Sequence, residues 1–190
     1  MSGTDTIEII PSNAVVGVNN KSWWGPRIWR ILHSLAEIND RMDTGPAWRQ
    51  ALSLTAEVLP CAMCREHFRT HVRRMTFPIG VSNYGILRRT LWTIHTATVT
   101  GKEPFPEERL ATDYGGAREE IVTRVTHLLS EVVTAFQMYG VLDRLHVANL
   151  APWNRAVRQL IALLQYPQPP VQPQQSRAQQ PIVRRRIVRR

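Results

Sequence analysis

A chain of 190 residues, 43% of them hydrophobic and 21% charged, has the composition of a globular protein rather than of a disordered or fibrous one. No stretch approaches the roughly 18 apolar residues of a membrane-spanning helix, and residues 1–20 lack the basic and apolar regions of a secretory signal. Neither a membrane protein nor a signal-directed secreted protein is therefore expected. The formal net charge of +9 arises mostly beyond residue 165, where six arginines stand without a single acid.

Apolar residues in the first half recur with the spacing of helical faces, which predicts four helices there. The first covers residues 19–40 with Pro26 in its first turn, where proline is tolerated. The second covers 47–59 and ends at Pro60, the third runs from Cys61 to 74, and the fourth covers 84–100 after a loop at 76–83. The inward faces are expected to be Ile28, Ile31, Leu32, Leu35 and Ile38 in the first helix, Trp48, Leu52, Thr55, Val58 and Leu59 in the second, and Ile86, Leu87, Leu91, Ile94 and Thr98 in the fourth.

The second half holds a connector, a helical extension and a tail. Residues 101–116 are rich in proline and glycine, and two amphipathic segments follow within a helical extension over 111–165. The apolar faces of these segments are Ile121, Val125, Leu128, Val132 and Phe136 in 117–138, and Trp153, Val157, Leu160, Ile161 and Leu164 in 153–165. From residue 166 onward, proline, glutamine and arginine predict a disordered tail. The pattern contains no convincing strand, so the fold class is predicted to be all-α.

The only two cysteines of the chain lie three positions apart, in Leu59-Pro60-Cys61-Ala62-Met63-Cys64, at the start of the third helix. Unpaired amides and the positive end of the helix dipole stabilise a thiolate at such a position, which suits the pair to disulfide exchange. A bridge that closes so small a loop adds little stability through chain entropy. The purpose of the pair is therefore expected to be chemical.

Three interpretations compete for this pair. A zinc site completed by His67 and His71 needs its ligands within about 2.0–2.3 Å of the metal, but about 10 Å of helical rise separates Cys64 from His71. A thioredoxin-like site needs a preceding strand and a βαβ frame, and the preceding segment is helical. The third interpretation is a redox pair beside a cofactor on a helical scaffold, in which His71 is a surface residue.

Three motifs between Ser22 and Phe105 resemble those of the Erv/ALR sulfhydryl oxidases and stand in the same order. Trp24–Ala36 is similar to the opening helix of that family, whose pattern is Trp-Gly, then Trp, then Leu-His-x-x-Ala. Leu59–Phe68 resembles the active-site helix, Leu-Pro-Cys-x-x-Cys followed by His-Phe. Leu91–His95, followed by Gly101-Lys102, resembles the third motif less closely.

The resemblance implies an FAD-binding four-helix bundle over 21–110, preceded by a flexible N-terminus at 1–20. The isoalloxazine ring of the cofactor would lie beside the cysteines. The implied catalytic residues are Cys61 and Cys64; the implied cofactor-binding residues are Trp24, Arg27, Trp29, His33, His67, His95, Thr96 and Lys102. Residues four apart, such as Trp29 and His33, share a helical face, so an aromatic plane and a hydrogen-bonding ring can be presented together.

The third motif departs from the family pattern, which has His-Asn-x-x-Asn ahead of its lysine. Here the run is His95-Thr96-Ala97-Thr98-Val99, and the lysine, Lys102, follows at a different distance. Thr96 can replace the first asparagine as a hydrogen-bond donor, whereas Val99 cannot replace the second. The departure bears on FAD affinity more than on the identity of the cofactor.

The activity implied is that of an FAD-dependent thiol oxidase, which forms disulfides in a dithiol protein substrate and reduces oxygen to hydrogen peroxide. The substrate thiol would attack Cys61, while Cys64 faces the flavin. Many cellular members carry additional shuttle cysteines; this chain, lacking them, resembles the minimal form of large DNA viruses. That likeness implies the host cytoplasm or the virion as location, with the mitochondrial intermembrane space as the alternative. The family precedent also implies a homodimer.

A function of a different class is compatible with the same sequence. The chain would then be a helical interaction protein whose arginine-rich tail binds nucleic acid, with an incidental cysteine pair. The tail could also contact an acidic protein, or only add charge. No aromatic residues interleave with its arginines, so base stacking is not supported. A flavin absorbance spectrum of the purified protein would separate the two hypotheses.

Overall fold

The structure, a computed structural model, describes residues 17–41, 43–75, 84–98 and 106–167. These residues form helices and connections, with no strand among them, which confirms the all-α prediction. The helices are α1 (Lys21–Glu37), α2 (Gly45–Val58), α3 (Ala62–Arg74), α4 (Tyr84–Thr98), α5 (Arg109–Tyr114), α6 (Arg118–Met138), α7 (Arg144–Val147) and α8 (Leu150–Gln165). None of them is long and apolar enough to span a membrane.

Four predicted features fall wholly or largely outside the described residues. They are the flexible N-terminus, apart from residues 17–20, the loop at 76–83, the cofactor residue Lys102 and the tail from 168 onward with its arginines.

The long helices begin and end within a few residues of their predicted bounds, but several details of the prediction were wrong. Pro26 lies inside α1 rather than in its first turn, because the helix begins at Lys21, where the side chain of Asn20 accepts the amide of Ser22. Ile86 is 43% exposed instead of facing the core. Two short helices were missed: α5, inside the predicted connector, and α7.

The helices pack in a closed circuit. Helix α1 packs on α6, α6 on α8, α8 on α2, α2 on α3, α3 on α4, and α4 returns to α1. The short helix α5 packs on α1, and α7 packs on α2. Because α6 and α8 stand between α1 and α2 in this circuit, the structure does not show a separate four-helix bundle over residues 21–110.

The predicted extension supplies 14 of the 34 buried residues that the structure describes in one continuous apolar core. The buried faces of α6 and α8 join the same cluster as those of α1 and α2. Within it the indole N–H of Trp153 donates to Thr55 Oγ1 at 3.0 Å, and this hydroxyl donates to the carbonyl of Ala51 at 2.8 Å. Leu129, rather than the half-buried Leu128, fills the central position of α6. These faces are occupied within the chain, so a homodimer, which stays a prediction, would need another surface.

Arg118, the first residue of α6, binds backbone groups at the ends of α1 and α8. Its guanidinium donates to the carbonyl of Leu164 at 2.5 Å and to that of Ile38 at 3.2 Å, and it pairs with Asp40 at 2.7 Å. The carbonyls near the C-terminus of a helix lack partners within it, and a cation there also offsets the helix dipole. Arg118 thereby fixes where α1 and α8 end relative to α6.

The substitution Trp153→Ala tests whether the 118–165 region belongs to the core. We expect a loss of about 3–5 kcal/mol in the free energy of unfolding, because a fully buried ring is removed and Thr55 loses its donor. Urea denaturation measures this loss. The matched control is Leu145→Ala on α7, a side chain that is 82% exposed, for which a change within about 0.5 kcal/mol is expected. Equal effects of the two variants would contradict the packing described.

Candidate functional site

Cys61 and Cys64 form a disulfide at the first turn of α3. Cys61 is the residue that precedes the helix, and its sulfur accepts the backbone amide of Cys64 at 3.2 Å. Both residues are half-buried. The bridge thus lies where the free amides of the helix can stabilise a sulfur anion once the bond is reduced.

The buried guanidinium of Arg65 holds the turn that leads into the disulfide. It donates to the carbonyl of Leu59 at 2.8 Å and to that of Pro60 at 3.4 Å. It also lies 3.6 Å from Asp143, whose side chain caps α7. Arg65 therefore fixes the junction between α2 and α3.

Cys64 opens onto a narrow cavity between α1, α3 and α4. Its walls include Lys21, Trp24 and Trp29 of α1, Phe68 of α3 and Thr98 of α4, and its volume is about 20 Å³, enough for about one water molecule. Within the described residues, the buried indole N–H of Trp24 has no hydrogen-bond partner. A larger molecule could enter only if wall side chains moved.

Four aromatic rings lie together behind this cavity. Trp29 stacks on His95, with ring centroids 4.1 Å apart and planes 12° from parallel. His33 Nε2 lies 3.0 Å from His95 Nδ1, so one imidazole donates to the other. Tyr114 of α5 stacks on His33 at 4.7 Å. Residues from three helices, far apart in the sequence, therefore build one stacked cluster.

Both histidines of this cluster are neutral near pH 7. Burial is the main reason that the pKa of His33 falls to about 3, and the nearby charges of His95 and Arg88 lower it further. Burial, followed by the charge of Lys21, lowers the pKa of His95 to about 4. Each neutral ring keeps one nitrogen as a donor and one as an acceptor.

The structure brings most of the predicted site residues together. Trp24, Trp29 and Cys64 share the cavity, and His33 and His95 form the pair behind it. Thr96 follows His95 on α4, and its buried hydroxyl has no hydrogen-bond partner among the described residues.

Two predicted residues lie elsewhere. Arg27 pairs with Glu131 of α6 at 2.9 Å and covers the ring of Trp23, so its guanidinium is engaged away from the cavity. His67 is exposed on α3, and His71, predicted as a surface residue, is half-buried.

Sequence reasoning missed three residues of the site. Phe68, whose ring lies 5.7 Å from that of Trp29, could have been found, because it stands four residues after Cys64 on the same helical face. Lys21, whose ammonium donates to the carbonyl of Thr98 at 3.2 Å, lies just before the first motif. Nothing in the sequence pointed to Tyr114, because it lies in a segment predicted to be a connector.

Comparison with family models, curated proteins and solved structures found no match to this chain.

The two histidines make the stability of the protein depend on pH. An unfolded histidine titrates near 6.5, whereas folded His33 and His95 titrate near 3 and 4. Between these values the unfolded chain binds more protons, so stability is full above pH 6.5 and is lost as the pH falls toward 4 and then 3. The slope is at most about 1.4 kcal/mol per pH unit for each histidine.

Urea denaturation between pH 4 and 7 measures this dependence. Carboxylates contribute to acid unfolding as well, so the comparison that matters is with His33→Asn, which cannot titrate in this range. We expect a shallower loss of stability with acid in the variant than in the wild type. If the free energy of unfolding falls with acid equally steeply in both proteins, protonation of His33 does not cause the pH dependence.

Proposed function

We propose that the protein is an FAD-dependent thiol oxidase, which forms disulfide bonds in a dithiol protein substrate and passes the electrons to oxygen. The observation that carries the proposal is the cavity shared by Cys64 and two tryptophans of α1. A disulfide that only supports the fold does not need a cavity lined by aromatic rings beside it. A disulfide that exchanges electrons with a flat cofactor needs such a cavity.

We infer that the residues around the cavity bind FAD once the wall side chains move apart to admit it. The indole N–H of Trp24 supplies a hydrogen-bond donor, and Trp29 and His95 supply two flat faces that suit a planar ring system. The neutral His33–His95 pair and the hydroxyl of Thr96 add donors and acceptors that carry no charge. These five residues are the ones that we propose hold the cofactor.

The protein's own residues account for the thiol chemistry. A thiolate of the substrate attacks the sulfur of Cys61, the Cys61–Cys64 bond breaks, and Cys64 leaves as a thiolate on the cavity side. The second thiol of the substrate then attacks the mixed disulfide, which releases the substrate as a disulfide and Cys61 as a thiolate that can accept the amide of Cys64. When bound, FAD supplies the electron acceptance that reoxidises the pair and the transfer to oxygen, which becomes hydrogen peroxide.

The first test is the absorbance spectrum of the purified protein. We expect a flavin absorbance band that corresponds to about one FAD per chain. Because the FAD is bound noncovalently, denaturation should release it. The variant Trp29→Ala should retain less FAD than the wild type, because it loses one face of the ring cluster. A colourless, folded protein that takes up no added FAD would remove the basis of the proposal.

The second test separates the two cysteines. Both Cys61→Ser and Cys64→Ser should abolish dithiothreitol oxidation while FAD stays bound, since neither change touches the aromatic cluster. A long-wavelength charge-transfer band should appear in Cys61→Ser, whose remaining thiol lines the cavity, and should be absent from Cys64→Ser.

The matched control for the cysteine variants is Met63→Ala, because this side chain lies between the cysteines and is 67% exposed. Its rate of dithiothreitol oxidation should equal that of the wild type. If the charge-transfer band appears in Cys64→Ser instead, the two cysteines have the opposite roles.

A further inference from the structure

Tyr114, the last residue of α5, is the outermost of the four stacked rings. Its ring lies over that of His33, with centroids 4.7 Å apart and planes 29° from parallel. It does not line the cavity at Cys64, but His33, on which it stacks, is hydrogen-bonded to His95, and His95 stacks on the cavity residue Trp29. These contacts connect Tyr114 to the cavity through the histidine pair.

Hydrogen bonds to the backbone of Tyr114 and of the next residue, Gly115, fix the position of Tyr114. Arg124 of α6 donates to the carbonyl of Tyr114 at 3.0 Å and also reaches the hydroxyl of Ser34, the neighbour of His33 in α1, at 3.3 Å. The amide of Gly115 donates to the carbonyl of Ala111 at 3.0 Å. A Cβ at Gly115 would overlap that carbonyl, so only glycine allows α5 to end in this way. The ring is thus placed on His33 by contacts that involve three helices.

We propose that Tyr114 is a positioning residue of the flavin site, whose ring, fixed by Arg124 and Gly115, shields His33 from water and keeps the His33–His95 hydrogen bond in place. This proposal rests on the proposed function, because FAD is the molecule that the histidine pair would meet. It assigns α5, which lies beyond the three motifs, to the cofactor site.

The groups that face His33 from the surrounding helices support this role. From α4 come His95 and Arg88, and Arg88 pairs at 2.8 Å with Glu37, which lies on α1. From α6 comes Arg124, through Ser34. From α5 comes Tyr114, whose own pKa is raised chiefly by burial, so its phenol is neutral. Tyr114 therefore covers His33 with a neutral ring, and burial is the main cause of the low pKa of His33.

The decisive variants are Tyr114→Leu, which removes the ring, and Tyr114→Phe, which keeps the ring and removes the hydroxyl. NMR titration of the His33 ring in the FAD-free protein should show protonation at a higher pH in Tyr114→Leu and an unchanged titration in Tyr114→Phe. The dissociation constant for FAD should rise by up to about tenfold in Tyr114→Leu, as expected for the loss of one aromatic pair. In Tyr114→Phe it should stay close to that of the wild type.

The matched control is Leu110→Ala, because Leu110 is fully buried in the same helix and carries no ring that could stack on His33. It should lower the melting temperature without moving the His33 titration. If Leu110→Ala shifts the titration as much as Tyr114→Leu does, or if Tyr114→Leu leaves it unchanged, the positioning role is wrong.

The experiment still decides the role of Tyr114 if Tyr114→Leu does not fold or if the wild-type protein binds no FAD. If Tyr114→Leu does not fold, Arg124→Gln, which frees the Tyr114 carbonyl and keeps the ring, should shift the His33 titration in the same direction by a smaller amount; no shift would overturn the proposal. If the wild-type protein binds no FAD, the proposed function fails. The His33 titration still decides whether Tyr114 controls the histidine pair.

Discussion

The buried guanidinium of Arg65 is the contact on which the geometry of the site depends. By binding the carbonyls of Leu59 and Pro60 it fixes the turn between α2 and α3. Cys61 can then precede the first turn of α3 while Cys64 reaches the cavity beside α1. A buried guanidinium that lost these acceptors would be costly, so the turn and the side chain hold each other in place. The hydrogen bonds of Arg65 therefore determine the position of the disulfide.

The remaining walls of the site depend on the C-terminal half of the chain. Helix α6 packs along α1, and Arg118 and Arg124 join α6 to the end of α1, to α8 and to the segment that carries Tyr114. Trp153 of α8 reaches Thr55 of α2 in the centre of the core. A rigid α1 matters for the proposed chemistry, because α1 carries both tryptophans of the cavity and one of the paired histidines. The region after residue 117 therefore supports the site although none of its side chains lines the cavity.

The sequence predicted the helices well because their apolar faces are regular: every inward residue expected in α2 and α8 is buried. It also predicted the place of Cys61 and Cys64 at the start of a helix and a shared face for Trp29 and His33. The sequence did not predict which helices pack together or where Tyr114 lies. Which helices pack together depends on contacts across the chain, such as Trp153 with Thr55, 98 residues apart. The place of Tyr114 depends on Arg124 and on the close approach at Gly115, which a proline- and glycine-rich segment does not reveal.

The proposed oxidase activity requires that the disulfide and a bound flavin exchange electrons within one chain. Anaerobic titration of the purified protein with dithiothreitol tests this directly, with the flavin absorbance followed at each addition. We expect the flavin band to bleach and about two equivalents of dithiothreitol to be consumed per chain, one for the disulfide and one for the flavin. Consumption of about one equivalent with an unbleached flavin band, or the absence of any flavin band, would contradict it.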